Sequence, residues 1–231
     1  MAKISKKRKE ALSKIDRASL YSLADAASLV KEITTTKFDA SVDLAVRLGV
    51  DPRKADQMVR GVVTLPHGTG KTVSVLALVT PDKEAEAKEA GADYVGLDEY
   101  LQKIKDGWTD VDVIVTMPSV MGKLGPLGRV LGPRGLMPNP KLGSVTEDLK
   151  TAISNAKSGQ AEIRNDKDGN IGVSIGKKSF NDDQLVKNFN AVLDTLEKEK
   201  SNNTVKGDLI KSAFITSTMG VSYKLKLGKN I

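Results

Sequence analysis

Hydrophobic and polar residues alternate near both ends of the chain. Every second residue of Ser41–Leu48 is apolar, which predicts a half-buried strand. The alternation returns from Ala213 to Leu227 and predicts one continuous strand there, with Met219 on its apolar side and hydroxyl and basic residues on the other. Between these segments, apolar residues recur at helical spacing and predict a helix over Asp182–Lys198.

Capping and turn residues predict further elements in the two end segments. Serine followed by aspartate three positions later is typical of a helix start. Asp-Pro reads as an N-cap with proline in the first helical position, and Asp-Gly between alternating segments is a hairpin signal. The predicted elements are a helix from Ser22 to about Ile33, a helix from Asp51 to about Val59, a strand over Gly61–Leu65, and a hairpin of Ala161–Asn165 with Asn170–Ile175.

The middle of the chain has a different pattern, in which continuous apolar strands alternate with helices. Apolar strands of this kind are covered on both faces, and the alternation predicts parallel pairing with helices on both sides. A long glycine- and proline-rich segment, Met117–Gly143, is predicted to be a loop. The remaining elements are strands at Val73–Thr80, Tyr94–Val95 and Val111–Thr116, and helices at Lys83–Ala90, Asp98–Lys105 and Thr146–Lys157.

The pattern changes twice along the chain, which indicates two domains, one with mixed α+β character and one of α/β type with helices on both faces of its sheet. If the two chain ends fold together, residues 1–68 and 160–231 form one discontinuous domain and residues 69–159 form an insert. The chain crosses between the domains only twice, which predicts hinges at Gly68 and Gly70 and at Ser158 and Gly159.

Composition excludes several classes of site. The 231 residues include no cysteine and one histidine, which excludes disulfides, thiolate zinc sites, iron–sulfur clusters and multi-histidine metal sites. No apolar run approaches the roughly 18–20 residues of a membrane span, and no apolar stretch follows the basic N-terminus as in a secretory signal. We therefore expect a cytoplasmic protein without cofactor or metal. No catalytic constellation is recognisable, so we expect no enzyme activity.

Positive charge is concentrated at the two ends of the chain. The net charge is +7, and residues 1–70 hold 13 basic against 8 acidic side chains, whereas residues 71–159 hold 11 against 12. A basic cluster, Lys3–Lys9, begins the chain and is predicted to be a mobile arm or the start of a helix that contacts phosphates. A basic domain attracts phosphate backbones, so a nucleic-acid partner is favoured, although a solvated basic face that aids solubility gives the same composition.

Gly68–Thr72 invites a second interpretation, because Gly-Lys-Thr ends the phosphate loop of nucleotide-binding enzymes. The motif also needs a glycine five positions before Gly70, where this chain has Leu65. A phosphate loop runs from a strand into a helix, whereas the residues after Lys71 predict a strand. A nucleotide-dependent enzyme is therefore the alternative hypothesis, and a glycine-rich crossing between the domains is the favoured one.

Two other segments allow both a binding and a structural interpretation. The loop's Lys123, Arg129 and Arg134 could donate to phosphates while its glycines admit close backbone approach; equally, the segment could be a rigid surface loop. Phe38 beside Lys37 could stack on a base while lysine holds phosphate, or simply be buried, as phenylalanine usually is. Aromatic residues make up only 4% of the chain, which favours a folded RNA over a single strand.

Several uncommon strings occur in one order along nearly the whole chain, and together they carry a resemblance. They resemble those of the bacterial family of large-subunit ribosomal protein one, found on the lateral stalk of the ribosome. The strings are Lys37-Phe38-Asp39, Leu48-Gly49-Val50-Asp51-Pro52-Arg53, Leu65-Pro66-His67-Gly68-Thr69-Gly70-Lys71, Ala90-Gly91-Ala92-Asp93-Tyr94-Val95, Leu136-Met137-Pro138-Asn139-Pro140, Arg164-Asn165-Asp166-Lys167 and Thr216-Ser217-Thr218-Met219-Gly220.

The resemblance implies the fold class α/β and α+β, with a discontinuous α+β RNA-binding domain made from both chain ends and an inserted Rossmann-like three-layer α/β domain. It also implies a non-enzymatic protein, monomeric when free, whose two-ended domain binds the stalk helices of large-subunit ribosomal RNA. It also implies help in releasing deacylated transfer RNA from the exit site, and repression of the protein's own operon messenger. The family's principal contacts fall on Phe38, Ser212, Thr218, Met219 and Gly220; Ser41 and Thr216 add neighbouring hydroxyls, and Lys37, Arg53, Arg164 and Lys167 are added for their charge. A messenger-binding regulator that acts away from the ribosome is a third hypothesis.

Overall fold

The computed structural model describes residues 6–16, 19–54, 57–202 and 207–227. They form two compact units: residues up to Gly70 together with those from Ala161 onward, and Lys71–Gln160. The first boundary between the units lies two residues later than the sequence predicted, and the second lies one residue later. Lys3 of the basic N-terminal cluster lies outside the described residues.

The first unit is built on a four-stranded antiparallel sheet of β1 (Ser41–Leu48), β7 (Asn170–Lys177), β8 (Ile210–Ser217) and β9 (Tyr223–Lys224). The strand order is β7-β1-β8-β9. Two others, β2 (Arg60–Thr64) and β6 (Gln160–Arg164), pair with each other. β1 and β8, which come from opposite ends of the sequence, are thus direct neighbours.

The helices α2 (Leu23–Ile33) and α8 (Asp182–Asn202) cover one face of this sheet. A further helix, α1 (Lys6–Ser13), contributes Ala11 to the same core. The apolar positions of β1 and β8 pack against α2 and α8 in one core, and α2 starts at Ser22, whose hydroxyl accepts a hydrogen bond from Asp25 N. The alternate positions of the strands form the other face, called here the outer face.

The second unit has three layers. Parallel strands β3 (Val75–Leu78), β4 (Tyr94–Gly96) and β5 (Val113–Thr116) have the order β4-β3-β5. Alternate side chains of β3 enter two separate cores, one on each face of the sheet, so the predicted Rossmann-like arrangement, and with it the α/β and α+β fold class, is confirmed. The helices are α3 (Glu84–Glu89), α4 (Asp98–Lys105), α5 (Met121–Leu124), α6 (Gly128–Leu131) and α7 (Leu149–Lys157).

Three local predictions were wrong. Asp51–Lys54 is a turn and not a helix; Asp51 accepts from Lys54 N and Arg53 N, and its own N donates to the Gln57 side chain. The segment 117–143 contains α5, α6 and 3-10 turns, because leucines spaced three or four residues apart are buried in the core. The Asp168-Gly169 turn exists, but its flanking strands β6 and β7 belong to different sheets.

The predicted final strand is also divided. β8 ends at Ser217, a tight turn follows, and the chain returns antiparallel as β9. Met219 lies in this turn and is 80% exposed, so its assignment to the apolar side was wrong. Beyond the turn, the apolar residues Val221 and Tyr223 are buried in the core again. The alternation of apolar and polar residues therefore continues through the turn in the sequence, although the strand does not.

Among the described residues, no helix combines the length and the apolar character needed to cross a membrane.

Candidate nucleic-acid interface

The loop that carries Phe38 joins α2 to β1 and is held firmly. Asp39 accepts hydrogen bonds from the backbone N of Ser179 (3.0 Å) and from its hydroxyl (2.8 Å). Lys178 N donates to the carbonyl of Ala40 at 2.8 Å. The Phe38 side chain nevertheless remains 53% exposed, so the loop holds an aromatic ring in contact with solvent, against the burial expected of phenylalanine.

The turn after β8 has unusual backbone geometry. Met219 has a φ of 61° and is the one non-glycine residue with a positive φ in the part of the chain that the structure describes. Gly220 N donates to the carbonyl of Ser217 at 2.8 Å. A Cβ on Gly220 would lie 2.3 Å from Ser217 Oγ, so this turn has room only for glycine. A long apolar side chain held in solvent by a strained backbone indicates a functional constraint.

Thr218 connects this turn to the start of β1. Its Oγ1 accepts from Ser41 N at 3.1 Å, and its backbone N donates to the Ser41 carbonyl at 3.0 Å. The Thr218 hydroxyl therefore has a structural role within the protein. Because Phe38 lies three residues before Ser41, this pair of contacts also joins the two segments that the sequence analysis assigned to RNA.

The two exposed apolar side chains lie in one depression with basic residues. Phe38, Met219 and Lys37 line it together with Lys7 and Arg8 of α1, and its volume is about 430 Å³. This group is called here the Phe38–Met219 site. Exposed apolar side chains can pack against bases or ribose, and cations around them can bind phosphates.

The helix α1 carries most of the basic N-terminal cluster, for which the sequence predicted either a mobile arm or the start of a helix that contacts phosphates. The structure forms the helix, whereas its place beside Phe38 was not predicted. Ala11 and Ile15 are buried in the core of the first unit. Their spacing of four residues is the signal that could have placed this helix against the domain. Anchoring by these residues holds the exposed Lys7 and Arg8 beside the Phe38–Met219 site.

Ser212 and Thr216 lie on the outer face of the sheet, where both are half-buried. Ser212 pairs with Arg47 of β1, and Thr216 pairs with Asp43. Between them, Phe214 pairs with Ala45, whose other neighbour is Gly172 of β7. These positions point away from the core of the first unit and form a partly exposed surface next to the Phe38–Met219 site.

Arg164 and Lys167 lie at a different place. They line a separate depression with Pro52 and Met58, next to the exposed Arg53. This depression is at the Leu48 end of β1, whereas the Phe38–Met219 site is at the Ser41 end. Eight strand residues separate the two by about 25 Å, so the structure does not bring them into one cluster.

The turn beside Arg164 is stabilised by a carboxylate. Asp166 accepts hydrogen bonds from Asn170 N at 2.7 Å and from Asp168 N at 2.9 Å. These donors, with Asn170 first, lower the pKa of Asp166 below its ordinary value. The carboxylate therefore stays charged near Lys167 and stabilises the loop that carries it.

The basic residues of segment 117–143 belong to the second unit. Lys123 lies 3.2 Å from the carboxylate of Asp98, the guanidinium of Arg134 donates to the Thr109 hydroxyl, and Arg129 is exposed. Lys123 and Arg134 thus have partners within their own unit.

The Gly68–Thr72 segment lacks the context of a phosphate loop, since strand β3 follows it. Lys71 Nζ lies 2.5 Å from Asp112 Oδ1, and this contact, with hydrogen bonds from Ser74, lowers the pKa of Asp112. The buried amide of Asn188 accepts from His67 N (3.1 Å) and donates to the Gly68 carbonyl (2.9 Å). Gly68 is therefore fixed to the first unit.

The predicted hinge residues have different surroundings. A Cβ on Gly70 would contact Phe180 of the first unit at 2.9 Å, and Gly70 has a φ of 73°. At the return crossing, Ser158 is exposed, and Gly159 is buried with a φ of 94°. Rotation about these crossings stays a prediction, and the anchoring of Gly68 favours a pivot after Gly70.

Within the described ranges, no group of histidine, cysteine and acidic residues could hold a metal ion.

Comparison with known proteins matches this chain to a family and to close relatives. Residues 30–221 match the model of the ribosomal protein L1p/L10e family. The large ribosomal subunit protein uL1 of Flavobacterium johnsoniae is 64% identical over 225 residues, covering 97% of this chain and 98% of the relative. The uL1 proteins of Porphyromonas gingivalis and Bacteroides thetaiotaomicron are each 61% identical, with 97% of both chains covered. The chain therefore belongs to the ribosomal protein L1p/L10e family.

Proposed function

We propose that this protein is a non-enzymatic component of the large ribosomal subunit, in the cytoplasm, and that its first unit binds a folded segment of the subunit's RNA at the lateral stalk. The observation that carries the proposal is the Phe38–Met219 site, in which two exposed apolar side chains lie beside Lys7, Arg8 and Lys37. Membership of the family supports the same assignment.

The geometry favours a structured RNA as the ligand. The loop of Phe38 and the turn of Met219 are cross-linked by hydrogen bonds, so the surface is largely formed before binding and loses little entropy on binding. The outer face of the sheet continues the surface toward Ser212 and Arg47. A second basic depression about 25 Å away, with Arg164 and Lys167, lies at a distance that suits a second contact on the same RNA.

Binding of the isolated stalk fragment of large-subunit ribosomal RNA tests the proposal. We expect log affinity to fall linearly with log salt concentration, because each lysine–phosphate contact releases counterions. Phe38→Ala should reduce affinity by about 1–3 kcal/mol, as expected when one base or sugar contact is lost.

Leu20→Ala is the matched control for this variant. Leu20 and Phe38 belong to the same unit and are both 53% exposed, but Leu20 is not among the residues that line the Phe38–Met219 site. Equal affinities of the two variants would contradict the assignment of the site. Failure of the unaltered protein to bind the RNA would contradict the proposed function itself.

We extend the proposal to the release of deacylated transfer RNA from the exit site. The support is the proposed position on the stalk, since a protein there would move with the RNA that meets the outgoing transfer RNA. Ribosomes lacking the protein should release exit-site transfer RNA more slowly, and adding the protein back should restore the rate. An unchanged rate would contradict this role.

Repression of the protein's own operon messenger is the remaining part of the proposal. A messenger leader that folds like the ribosomal site would occupy the same surface, so the messenger and ribosomal RNA should compete. A reporter behind the operon leader should be repressed by the protein and relieved by Phe38→Ala. Repression that is unaffected by this substitution would contradict a shared surface.

A further inference from the structure

A second depression lies beside the Phe38–Met219 site, on the outer face of the sheet where β8 turns into β9. It has a volume of about 470 Å³ and lies between the hairpin and the N-terminal helix α1. This size is within the range of small-molecule pockets. Thr216 and Gly220, which line it, are among the RNA contacts expected from the sequence, whereas no role was expected for Phe214, Tyr21 or Lys224.

The walls of this depression supply three kinds of contact. Phe214 and Tyr21 contribute aromatic rings, Arg8 and Lys224 contribute cations, and Thr216 and Ser222 contribute hydroxyls. Aromatic rings stack on bases, cations bind phosphates, and hydroxyls meet ribose or base edges. This combination matches the base, phosphate and sugar of one nucleotide.

The aromatic walls are held in place by the fold. Phe214 lies in β8 between the paired residues Ala45 and Lys224 and is half-buried. The Tyr21 ring packs edge-on against Tyr223, with centroids 5.0 Å apart. The Tyr21 hydroxyl accepts a hydrogen bond from Asp16 N at 3.1 Å. A rigid ring offers stacking area at little cost in conformational entropy.

The acidic residue at the edge of this depression has a partner on its own segment. The Asp16 carboxylate accepts from the Ser19 hydroxyl at 2.6 Å. Lys224 is exposed and pairs with Phe214 in the hairpin, so its ammonium is available within reach of the ring. The arrangement suits a phosphate beside a stacked base.

The two depressions adjoin each other. Arg8, Gly220 and Val221 line both of them. An RNA strand that contacts Phe38 and Met219 can therefore pass the turn at Gly220 and enter the second depression without leaving the protein. This continuity favours a nucleotide of the bound RNA over a free nucleotide.

We propose that the Phe214–Tyr21 depression binds one unpaired nucleotide of the same RNA, with its base stacked on Phe214 and its phosphate at Lys224. This inference rests on the proposed function, because it assumes an RNA on the adjoining site. It adds a prediction about the ligand: the recognised RNA contains a nucleotide that is turned out of its helix next to the segment bound by Phe38.

The test uses the full chain, the stalk fragment of large-subunit ribosomal RNA, and three substitutions of one residue. Phe214→Ala and Phe214→Leu remove the aromatic ring, and Phe214→Tyr retains it. We expect the first two to weaken binding about 5- to 150-fold, the range for loss of one stacked base, and the tyrosine variant to bind like the unaltered protein. Leucine preserves the apolar bulk of the side chain. If Phe214 had only a structural role, the leucine and tyrosine variants would therefore bind the RNA with equal affinity.

Chemical probing of base reactivity gives a second readout in the same complexes. One nucleotide protected by the unaltered protein should become reactive with Phe214→Leu, while the rest of the footprint is retained. Lys224→Gln should lower the slope of log affinity against log salt by about 0.7–0.9, one phosphate contact. Lys187→Gln, an exposed position on α8 across the sheet, is the matched control and should leave the slope unchanged.

The outcomes separate the two proposals. If the RNA binds but Phe214→Leu changes neither the affinity nor the reactivity of any base, the Phe214–Tyr21 depression does not bind a nucleotide. The proposed function then stands. If adenosine or uridine monophosphate alone binds to the Phe214–Tyr21 depression with micromolar affinity, the ligand is a free nucleotide and the inference is overturned. If the RNA does not bind the unaltered protein, the proposed function fails and this inference fails with it.

Discussion

The turn that presents Met219 should depend on a single glycine. Gly220→Ala would place a methyl group 2.3 Å from Ser217 Oγ and 3.0 Å from the Ser217 carbonyl oxygen. Ser217 is buried, and its hydroxyl lies 2.8 Å from Thr34 Oγ1, which donates in turn to the Val30 carbonyl. The methyl group must displace a side chain that links β8 to the end of α2.

The expected cost follows from these contacts. Overpacking at a well-packed position costs about 1–3 kcal/mol, and loss of a buried hydroxyl hydrogen bond falls in the same range. We therefore expect Gly220→Ala to lower the free energy of unfolding of the first unit by about 1–3 kcal/mol. RNA affinity should fall as well, since a shift of the turn moves Met219 away from Phe38.

The two units can be followed separately in a urea titration. Trp108 is the single tryptophan of the chain and lies in the second unit. Its fluorescence should therefore report the unfolding of that unit, with the same urea midpoint in the variant and in the unaltered protein. Circular dichroism should show the earlier transition of the first unit. Gly172→Ala is the matched control, because a Cβ there meets nothing within 4 Å and should be tolerated.

A double-mutant cycle with Ser217→Ala tests the cause. Removing Ser217 Oγ leaves the carbonyl oxygen at 3.0 Å as the nearest contact of the new methyl group. The double variant should therefore be less destabilised than the sum of the two single variants, by about 0.5 kcal/mol or more. Strict additivity would refute the proposed clash.

Three further predictions concern strain, a buried amide and pH. Met219→Gly relieves a left-handed backbone that costs about 1–2 kcal/mol, so urea unfolding should show no loss of stability while RNA affinity falls; lower stability would contradict the strain. Asn188→Ala removes partners from three backbone groups and should destabilise the first unit by about 2–4 kcal/mol in the same titration. Asp182 accepts from Lys31 and Ser28, which lowers the pKa of its carboxyl; its contribution is therefore present above about pH 4 and lost as the pH falls through the lowered pKa. Asp182→Asn should flatten the acid side of the stability profile, and an unchanged profile would contradict this assignment.

The Phe38–Met219 site combines features that oppose stability when the protein is free. Two large apolar side chains are exposed, and one has a strained backbone. They are held in this arrangement by hydrogen bonds that Asp39 and Thr218 accept and that Gly220 N donates. Stability lost at the surface is the expected consequence of keeping a binding surface formed in advance.

Much of the architecture was predictable from local patterns. Burial on one face imposes a period of two on strands and 3.6 on helices, so β1, α2, α8 and the alternating strands and helices of the second unit could be read from the chain. Uncommon strings along nearly the whole length identified the family, and the match over residues 30–221 confirmed it. Local patterns failed where a backbone turn competed with them, as at Asp51 and Met219.

Only the tertiary structure decided which residues meet. Phe38, Met219 and Arg8 are far apart in sequence, and they share one depression because β1 pairs with β8 and Ala11 and Ile15 anchor α1 in the same core. Arg164 and Lys167 carry the same charge but lie at the other end of the sheet. Residue type and spacing determine the local conformation of a segment, whereas a binding surface depends on long-range strand pairing and core packing, which bring distant segments together.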